Sequence, residues 1–249
     1  MADASKPLTD KIALITGASR GIGAALALEL AQAGAHIVAV ARTVGALEEL
    51  DDKITAAGGS ATLVPLDMKD MDGIARLALA LNERYGRLDV LVGNAGVLGP
   101  LSPLDHAEPK DFENIMAVNV TANWQLIRTM DVLLKRADAG RAVFVTSGLS
   151  WLARAYCGPY ATSKAALNMM IQTYAAETAT TNVRANLFNP GPTRTRMYAS
   201  GWPGVDPETL PAPEEVVKTM VPLCLPLCTE SGKVYDFRAG KFLDFRMPA

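Results

Sequence analysis

Three side chains of this 249-residue chain have the types and spacing needed to move a proton to or from a substrate oxygen. Tyr160 and Lys164 stand four residues apart, and Ser147 lies thirteen residues before Tyr160, just after a short apolar run. Residues four apart on a helix share a face, so Tyr160 and Lys164 can point into one site. A free tyrosine has a pKa of about 10, and a nearby ammonium favours the phenolate. We therefore expect Lys164 to lower the pKa of Tyr160 into the range of acid–base catalysis.

A glycine-rich turn near the start of the chain indicates a dinucleotide site. Gly17, Gly21 and Gly23 follow a short apolar run and open a helical pattern. Glycines let the backbone approach a pyrophosphate closely, and a helix amino terminus offers free N–H groups and partial positive charge. Because the pattern lies between a predicted strand and a predicted helix, we favour a nucleotide site over an ordinary turn.

The end of the second predicted strand bears on which dinucleotide binds. An acidic residue normally holds the ribose 2′-hydroxyl at this point, but the run Ala41-Arg42-Thr43 contains no carboxylate. Arg42, together with Arg20 in the glycine turn, could bind a 2′-phosphate through charge-assisted hydrogen bonds. The sequence therefore favours NADP(H) as the cofactor, against the alternative that both arginines are solvated surface residues.

Short apolar runs alternate with amphipathic segments along the chain, which predicts an α/β fold. Helical stripes separate the runs, with two helices between about residues 111 and 135 and another from Tyr160 to Thr178. We expect one domain, residues 1–249, built as a doubly wound, Rossmann-like parallel sheet of about seven strands with helices on both faces. Six of the strands are predicted at Ile12–Ile15, Ile37–Val40, Ala61–Val64, Val90–Val92, Ala142–Val145 and Val183–Phe188.

One segment, residues 191–213, is rich in glycine and proline and shows no periodicity. We predict a lid over the substrate site rather than a disordered surface loop, because long loops in compact domains are usually functional. Several large side chains in or beside the predicted site loops could line an apolar pocket or belong to the core. They are Leu98, Trp151, Leu152, Cys157, Met197, Tyr198 and Trp202.

Composition argues against several other classes of protein. The net charge of −2 gives no basic footprint for nucleic acid. No run of about eighteen uncharged apolar residues suggests a membrane span, and Met1–Pro7 lacks the apolar core of a signal peptide. Three cysteines argue against a disulfide framework and for a reducing, cytoplasmic location. Cys224 and Cys228 are too few for a zinc site, and we expect no metal.

In combination, these motifs resemble those of the single-domain short-chain dehydrogenase/reductase family, over a stretch from Lys11 to about Arg196. By this resemblance the family's catalytic asparagine, serine, tyrosine and lysine match Asn119, Ser147, Tyr160 and Lys164. The cofactor site implied by the resemblance consists of Gly17, Ser19, Arg20, Gly21, Ile22, Gly23, Arg42, Asp67, Asn94, Ala95, Gly96, Tyr160, Lys164, Pro190, Gly191 and Thr193.

The resemblance also implies a mechanism, in which hydride passes from NADPH to the carbonyl carbon of a small-molecule ketone or aldehyde, or back to NADP⁺ from the alcohol carbon of the product. Tyr160 exchanges the proton and Ser147 binds the same oxygen. Lys164 binds the nicotinamide ribose, and Asn119 holds a water that relays protons. Among the cofactor residues, Asp67 is implied to hold the adenine, and Thr193 to reach the nicotinamide amide or the phosphates.

Other functions stay open at this level. A reductase of 3-oxoacyl groups on acyl carrier protein would need a basic docking face, yet no Lys or Arg occurs from Ala165 to Asn182. An NAD-dependent alcohol dehydrogenase and a non-catalytic dinucleotide sensor are the remaining alternatives. Family members are mostly tetramers or dimers, so we expect a homo-oligomer. The chain departs from the family in Phe237-Arg238-Ala239-Gly240, where many members have a Val-Asp-Gly-Gly-like segment.

Overall fold

The sheet of the protein confirms the predicted α/β architecture. A computed structural model describes residues 6–245, and its eight strands lie in the order β3-β2-β1-β4-β5-β6-β7-β8. All neighbouring pairs are parallel except β7 with β8. The strands are β1 (Ile12–Thr16), β2 (His36–Ala41), β3 (Ser60–Pro65), β4 (Val90–Gly93), β5 (Arg141–Val145), β6 (Arg184–Asn189), β7 (Val234–Asp236) and β8 (Lys241–Leu243).

Helices cover both faces of the sheet, and each face has its own apolar core. Helices α1, α2 and α8 pack on one face, and α3, α5 and α6 on the other. The near-continuous apolar character of the central strands is therefore explained, since their side chains point alternately into two cores. The helices are α1 (Gly21–Gln32), α2 (Val44–Ala56), α3 (Met71–Tyr85), α4 (Pro109–Met116), α5 (Ala122–Arg136), α6 (Gly158–Glu177), α7 (Arg196–Gly201) and α8 (Pro213–Cys224).

Two details differ from the sequence prediction. About seven strands were expected and eight are present, because the chain closes with a β7–β8 hairpin at the sheet edge, whose three-residue strands carry no long apolar run. The two helices expected near residues 111–135 form one continuous helical run, in which the π-helical segment Ala117–Thr121 joins α4 to α5. The predicted lid segment contains α7 and a 3-10 turn at Pro207–Thr209.

The topology places the functional loops at one edge. Strands β1 and β4 are neighbours in the sheet, yet the chain leaves β1 toward one face and β4 toward the other, which makes this the switch point of the sheet. Ligands of doubly wound sheets bind at the carboxyl ends of strands near such a point. The turns after β1, β4, β5 and β6 all open onto this edge.

The structure bears on only some of the expectations about a signal peptide, a membrane span and disulfides. Most of the segment Met1–Pro7, on which the absence of a signal peptide was predicted, lies outside the described residues. Within residues 6–245 no helix is both long enough and apolar enough to cross a membrane. Cys157, Cys224 and Cys228 are all free thiols.

Candidate active site

The glycine turn lies between β1 and α1, where the sequence places it. Gly17 and Gly21 have φ angles of +67° and +56°, which side chains with a Cβ rarely adopt. A Cβ at Gly23 would lie against the Gly17 carbonyl oxygen and 2.5 Å from Asn94 Nδ2. Helix α1 begins at Gly21 without a side-chain capping bond, so its first N–H groups remain free for an anionic ligand.

Gly23→Ala is expected to weaken NADPH binding by at least about tenfold, because the added methyl must displace the Gly17 carbonyl or the Asn94 amide at a cost of about 1–3 kcal/mol. Fluorescence titration of the purified protein with NADPH measures the effect. Gly204→Ala is the matched control, since a Cβ at Gly204 meets no atom within 4 Å. Equal NADPH affinity of Gly23→Ala and the wild type would contradict the close approach at this turn.

Hydrogen bonds fix the glycine turn to the end of the neighbouring strand β4. The Thr16 hydroxyl donates to the Val92 carbonyl oxygen at 3.2 Å and accepts from the backbone N–H groups of Asn94 at 3.0 Å and Ala95 at 3.1 Å. In return, Asn94 Nδ2 donates to the carbonyl oxygens of Thr16 at 2.9 Å and Gly17 at 3.2 Å. Thr16 is therefore a positioning residue that the sequence analysis did not single out, although it opens the glycine motif.

The arginines expected to meet a 2′-phosphate lie at the same edge. Arg42 directly follows β2, and the Ala18 N–H in the glycine turn donates to the Val40 carbonyl oxygen at 3.2 Å, which brings the end of β2 beside the turn. Arg42 and Arg20 are both exposed. Within residues 6–245 neither makes an ion pair, so both guanidinium groups are available to a phosphate.

Asp67, which the resemblance assigns to the adenine, follows β3 by two residues and is half-buried. Its Oδ1 atom accepts the backbone N–H of Lys69 at 2.9 Å. The other carboxylate oxygen makes no hydrogen bond within the described chain, which leaves an acceptor for a ligand amino group.

Three of the four candidate catalytic side chains, Ser147, Tyr160 and Lys164, come together after β5 and at the start of α6. Lys164 Nζ lies 5.8 Å from the centroid of the Tyr160 ring and donates to the Val145 carbonyl oxygen at 2.8 Å. Lys164 is only 3% exposed. Ser147 caps the 3-10 turn Gly148–Ser150, and its hydroxyl accepts the Leu149 N–H at 3.3 Å.

Burial dominates the electrostatics of this group. It raises the pKa of Tyr160 to about 12, against a lowering influence of the hydrogen bond with Ser147. It lowers the pKa of Lys164 to about 8. The expected fall of the Tyr160 pKa is therefore wrong in direction: burial outweighs any lowering by Lys164, since desolvation penalises the charged form of both groups. At neutral pH the phenol carries its proton and can act as a general acid.

Asn119 lies within the π-helical segment and is fully buried. Its Oδ1 accepts the Val97 N–H at 2.8 Å, and its Nδ2 donates to the Val97 carbonyl oxygen and the Ser163 hydroxyl, both at 2.9 Å. A Cβ on Gly96 would lie 3.3 Å from Asn119 Oδ1 and 3.6 Å from Lys164 Nζ, so both side chains face Gly96. Because both amide donors are engaged within the protein, the relay of protons through Asn119 stays a prediction.

A buried polar network behind Ser147 escaped the sequence analysis. The Thr146 hydroxyl donates to Asn168 Oδ1 at 2.5 Å, and Asn168 Nδ2 donates to the Ser150 hydroxyl at 2.7 Å. Ser150 in turn donates to the Ser147 carbonyl oxygen at 2.6 Å. Asn168 follows Lys164 by four residues, and this continued polar stripe on α6 was the available signal.

The turn after β6 completes the edge. Gly191 follows Pro190 and has a φ of +63°, and its N–H donates to Asn189 Oδ1 at 3.2 Å. Asn189 Nδ2 donates to Asp236 Oδ2 at 2.7 Å, which connects the turn to the final hairpin. Thr193 is 3% exposed, with its hydroxyl 3.3 Å from the Gly191 carbonyl oxygen.

A glycine turn and a Tyr–Lys–Ser set on one edge of a doubly wound sheet define a dinucleotide-dependent oxidoreductase. Comparison with known proteins narrows the class. The family model described as short chain dehydrogenase matches residues 11–204. The uncharacterized oxidoreductase YciK of Escherichia coli is 34% identical over 242 residues, which are 94% of each chain. The chain therefore belongs to the short-chain dehydrogenase/reductase family.

Solved structures agree with this assignment over almost the whole chain. A short chain dehydrogenase from Salmonella enterica has a TM-score of 0.91 and 32% identity, and the alignment covers 96% of this chain and 100% of the other. A chain from Shigella flexneri, solved in complex with NADP, has a TM-score of 0.89 and 32% identity, with 94% and 99% covered.

Proposed function

We propose that the protein is an NADP(H)-dependent enzyme that interconverts a small carbonyl compound and its alcohol, with Tyr160 as the general acid or base. The observation that carries this proposal is the placement of the Tyr160 and Ser147 hydroxyls and the buried Lys164 ammonium at the sheet edge that also holds the glycine turn. The bound cofactor would supply or accept the hydride.

The side chains then have distinct tasks in the direction of reduction. Tyr160 keeps its proton at neutral pH, since burial raises its pKa to about 12, and delivers it to the oxygen of the substrate carbonyl. Ser147 donates a hydrogen bond to the same oxygen and stabilises its developing charge. Lys164 binds the ribose hydroxyls of the cofactor. Its charge also stabilises the phenolate that Tyr160 becomes after it releases the proton.

The choice of NADP(H) over NAD(H) is supported by charge at the end of β2. Arg42 and Arg20 are exposed and make no ion pair within residues 6–245. A guanidinium fork matches the geometry of a phosphate. The NADP in the Shigella flexneri structure is a further support. Side-by-side titration of the purified protein with NADPH and NADH, followed by a screen of ketones and aldehydes, tests the proposed function.

Arg42→Asp is expected to weaken NADPH binding by about a hundredfold, because it removes a charge-assisted hydrogen bond worth about 1.5–3 kcal/mol and adds like-charge repulsion. NADH binding should change little or improve, since an acidic residue at this position accepts the ribose 2′-hydroxyl. Dissociation constants for both dinucleotides measure the switch. Arg84→Asp, an exposed change on α3, is the control. A parallel loss of NADPH and NADH affinity would contradict the role of Arg42.

The proposal also covers assembly, location and domain organisation: the chain is a single-domain subunit of a cytoplasmic homo-oligomer. Large apolar side chains are exposed along α4, α5 and α6, which supports pairing through these helices. They include Phe112, Trp124, Val132 and Met169. Three free cysteines support a reducing compartment, and the single sheet that runs from residue 12 to residue 243 supports one domain.

A further inference from the structure

Arg154 stands between the candidate catalytic residues and the lid segment 191–213. It belongs to the exposed stretch 151–156, between the 3-10 turn that Ser147 caps and the start of α6. Its Cζ atom lies 5.0 Å from the centroid of the Trp202 ring, just after α7. Its charge also lowers the pKa of Cys157, although burial raises that pKa overall. The Arg154 carbonyl oxygen accepts the Cys157 N–H at 3.3 Å, and the Cys157 carbonyl oxygen accepts the N–H of Ala161, the residue after Tyr160, at 2.9 Å, so the Arg154 backbone lies close to the site.

One face of the planar Arg154 guanidinium group packs on the Trp202 ring, and the N–H groups at its edge stay free to bind a ligand. Trp202, which covers that face, is itself packed against Tyr198 with 4.8 Å between the ring centroids. Within residues 6–245 Arg154 makes no ion pair, and its side chain donates no hydrogen bond. An arginine that stacks on a ring keeps its in-plane N–H donors for a planar, bidentate acceptor.

The loops around the site carry an excess of positive charge, although the whole chain has a net charge of −2. Segments 94–104, 147–164 and 189–205 contain no Asp or Glu. Arg194 on the lid forms an ion pair with Glu208 at 2.7 Å, and Lys164 is buried beside Tyr160. Arg154 is thus a cation beside the site that makes no ion pair within residues 6–245, as is the exposed Arg196 on α7.

The same stretch also offers apolar surface. Trp151, Leu152 and Tyr156 are 49%, 62% and 60% exposed, and three such side chains within six residues form an apolar patch of the kind that meets a ligand or a partner. A substrate that covers them must be largely apolar. The fork of N–H donors at the edge of the Arg154 guanidinium matches the two oxygens of a carboxylate.

We propose that the substrate is a carbonyl compound with an apolar body and a carboxylate group, and that Arg154, stacked on Trp202, binds this carboxylate. This inference rests on the proposed function and names the substrate class of the same site. Arg154 is accordingly a specificity residue, which orients the substrate carbonyl toward Tyr160 without touching the reacting atoms.

The test compares two aldehydes of similar shape, of which only one carries a charge, 4-formylbenzoate and its methyl ester, with NADPH as reductant. The wild type should prefer the acid, and Arg154→Met should lower the ratio of kcat/KM for acid over ester by at least about tenfold. Arg154→Lys, which keeps the charge but loses the fork, should give an intermediate ratio. Arg84→Met is the matched control, because Arg84 also lies over an aromatic ring, 5.2 Å from the centroid of Tyr85, on α3.

A binding measurement separates this inference from the proposed function. Calorimetric titration of the NADP⁺-saturated protein with benzoate, which cannot be reduced, should show binding that weakens at least about tenfold in Arg154→Met. Reduction of both aldehydes with the same acid-to-ester ratio in Arg154→Met and the wild type would overturn the inference and leave the proposed function standing. Absence of turnover, together with benzoate binding that depends on Arg154, would overturn the proposed function and leave the anion site standing.

Discussion

Tyr160→Phe is expected to lower turnover by about a thousandfold or more, in line with the 10²–10⁴-fold contribution of a positioned general acid. The change removes one hydroxyl and leaves the ring, so the packing beside Lys164 and Ser147 is kept. At neutral pH the buried phenol keeps the proton that it can donate, since its pKa is raised to about 12. Affinity for NADPH should stay nearly unchanged, because the glycine turn and Arg42 are untouched.

Single-turnover reduction of the best aldehyde from the screen measures the loss, and fluorescence titration measures NADPH affinity. Tyr85→Phe is the control for loss of a tyrosine hydroxyl, since Tyr85 hydrogen-bonds His36 at 3.0 Å near the opposite end of β2. Its turnover should match the wild type. If Tyr160→Phe retained more than about a tenth of wild-type turnover, Tyr160 would not be the general acid.

Lys164→Met should have opposite effects on stability and on activity. Burial lowers the pKa of Lys164 from 10.5 to about 8, and each pKa unit corresponds to about 1.4 kcal/mol. Burying the charged lysine therefore lowers the free energy of unfolding by about 3 kcal/mol at neutral pH. The hydrogen bond to the Val145 carbonyl oxygen offsets about 1 kcal/mol of this loss. We expect the variant to be about 2 kcal/mol more stable at pH 7 and inactive, since it lacks the group that binds the ribose and stabilises the phenolate.

The stability difference between Lys164→Met and the wild type should change with pH in a defined direction. The native lysine releases its proton near pH 8, whereas the unfolded lysine holds it to about pH 10.5, so wild-type stability rises with pH between these values. The advantage of Lys164→Met should therefore be largest at pH 7 and shrink toward pH 10. Urea unfolding of both proteins at pH 7 and pH 10 checks this. Lys53→Met, an exposed change on α2, is the control, and a Lys164→Met protein less stable than the wild type at pH 7 would refute the argument.

Apolar runs were sufficient to predict the central sheet, because strands buried on both faces need nearly every side chain to be apolar. They could not predict the final hairpin. Tyr235 on β7 and Phe242 on β8 meet edge-on with 5.3 Å between ring centroids, a contact that arises only after the chain has folded back. Such short edge strands leave almost no periodic signal in sequence.

Features of the candidate site that depend on residue spacing were predictable from the sequence. Features that depend on burial in the folded chain were not. The four-residue interval placed Tyr160 and Lys164 on one helix face, and the glycines fixed the turn. The predicted direction of the Tyr160 pKa shift was wrong, because the burial that raises this pKa depends on the whole surrounding fold. The partners of Asn119, which are Val97 and Ser163, come from two other elements and follow from topology alone.

The bond between Asn189 and Asp236 has a consequence for biosynthesis. The edge that would hold cofactor and substrate begins at Thr16, yet Asp236, which supports it, comes 220 residues later in the sequence. Until Asp236 has left the ribosome, the emerged part of the chain lacks this support for the Pro190-Gly191 turn. Cofactor binding should therefore stabilise the enzyme fully only once the β7–β8 hairpin has emerged and folded, and a nascent chain must reach that point without help from its ligand.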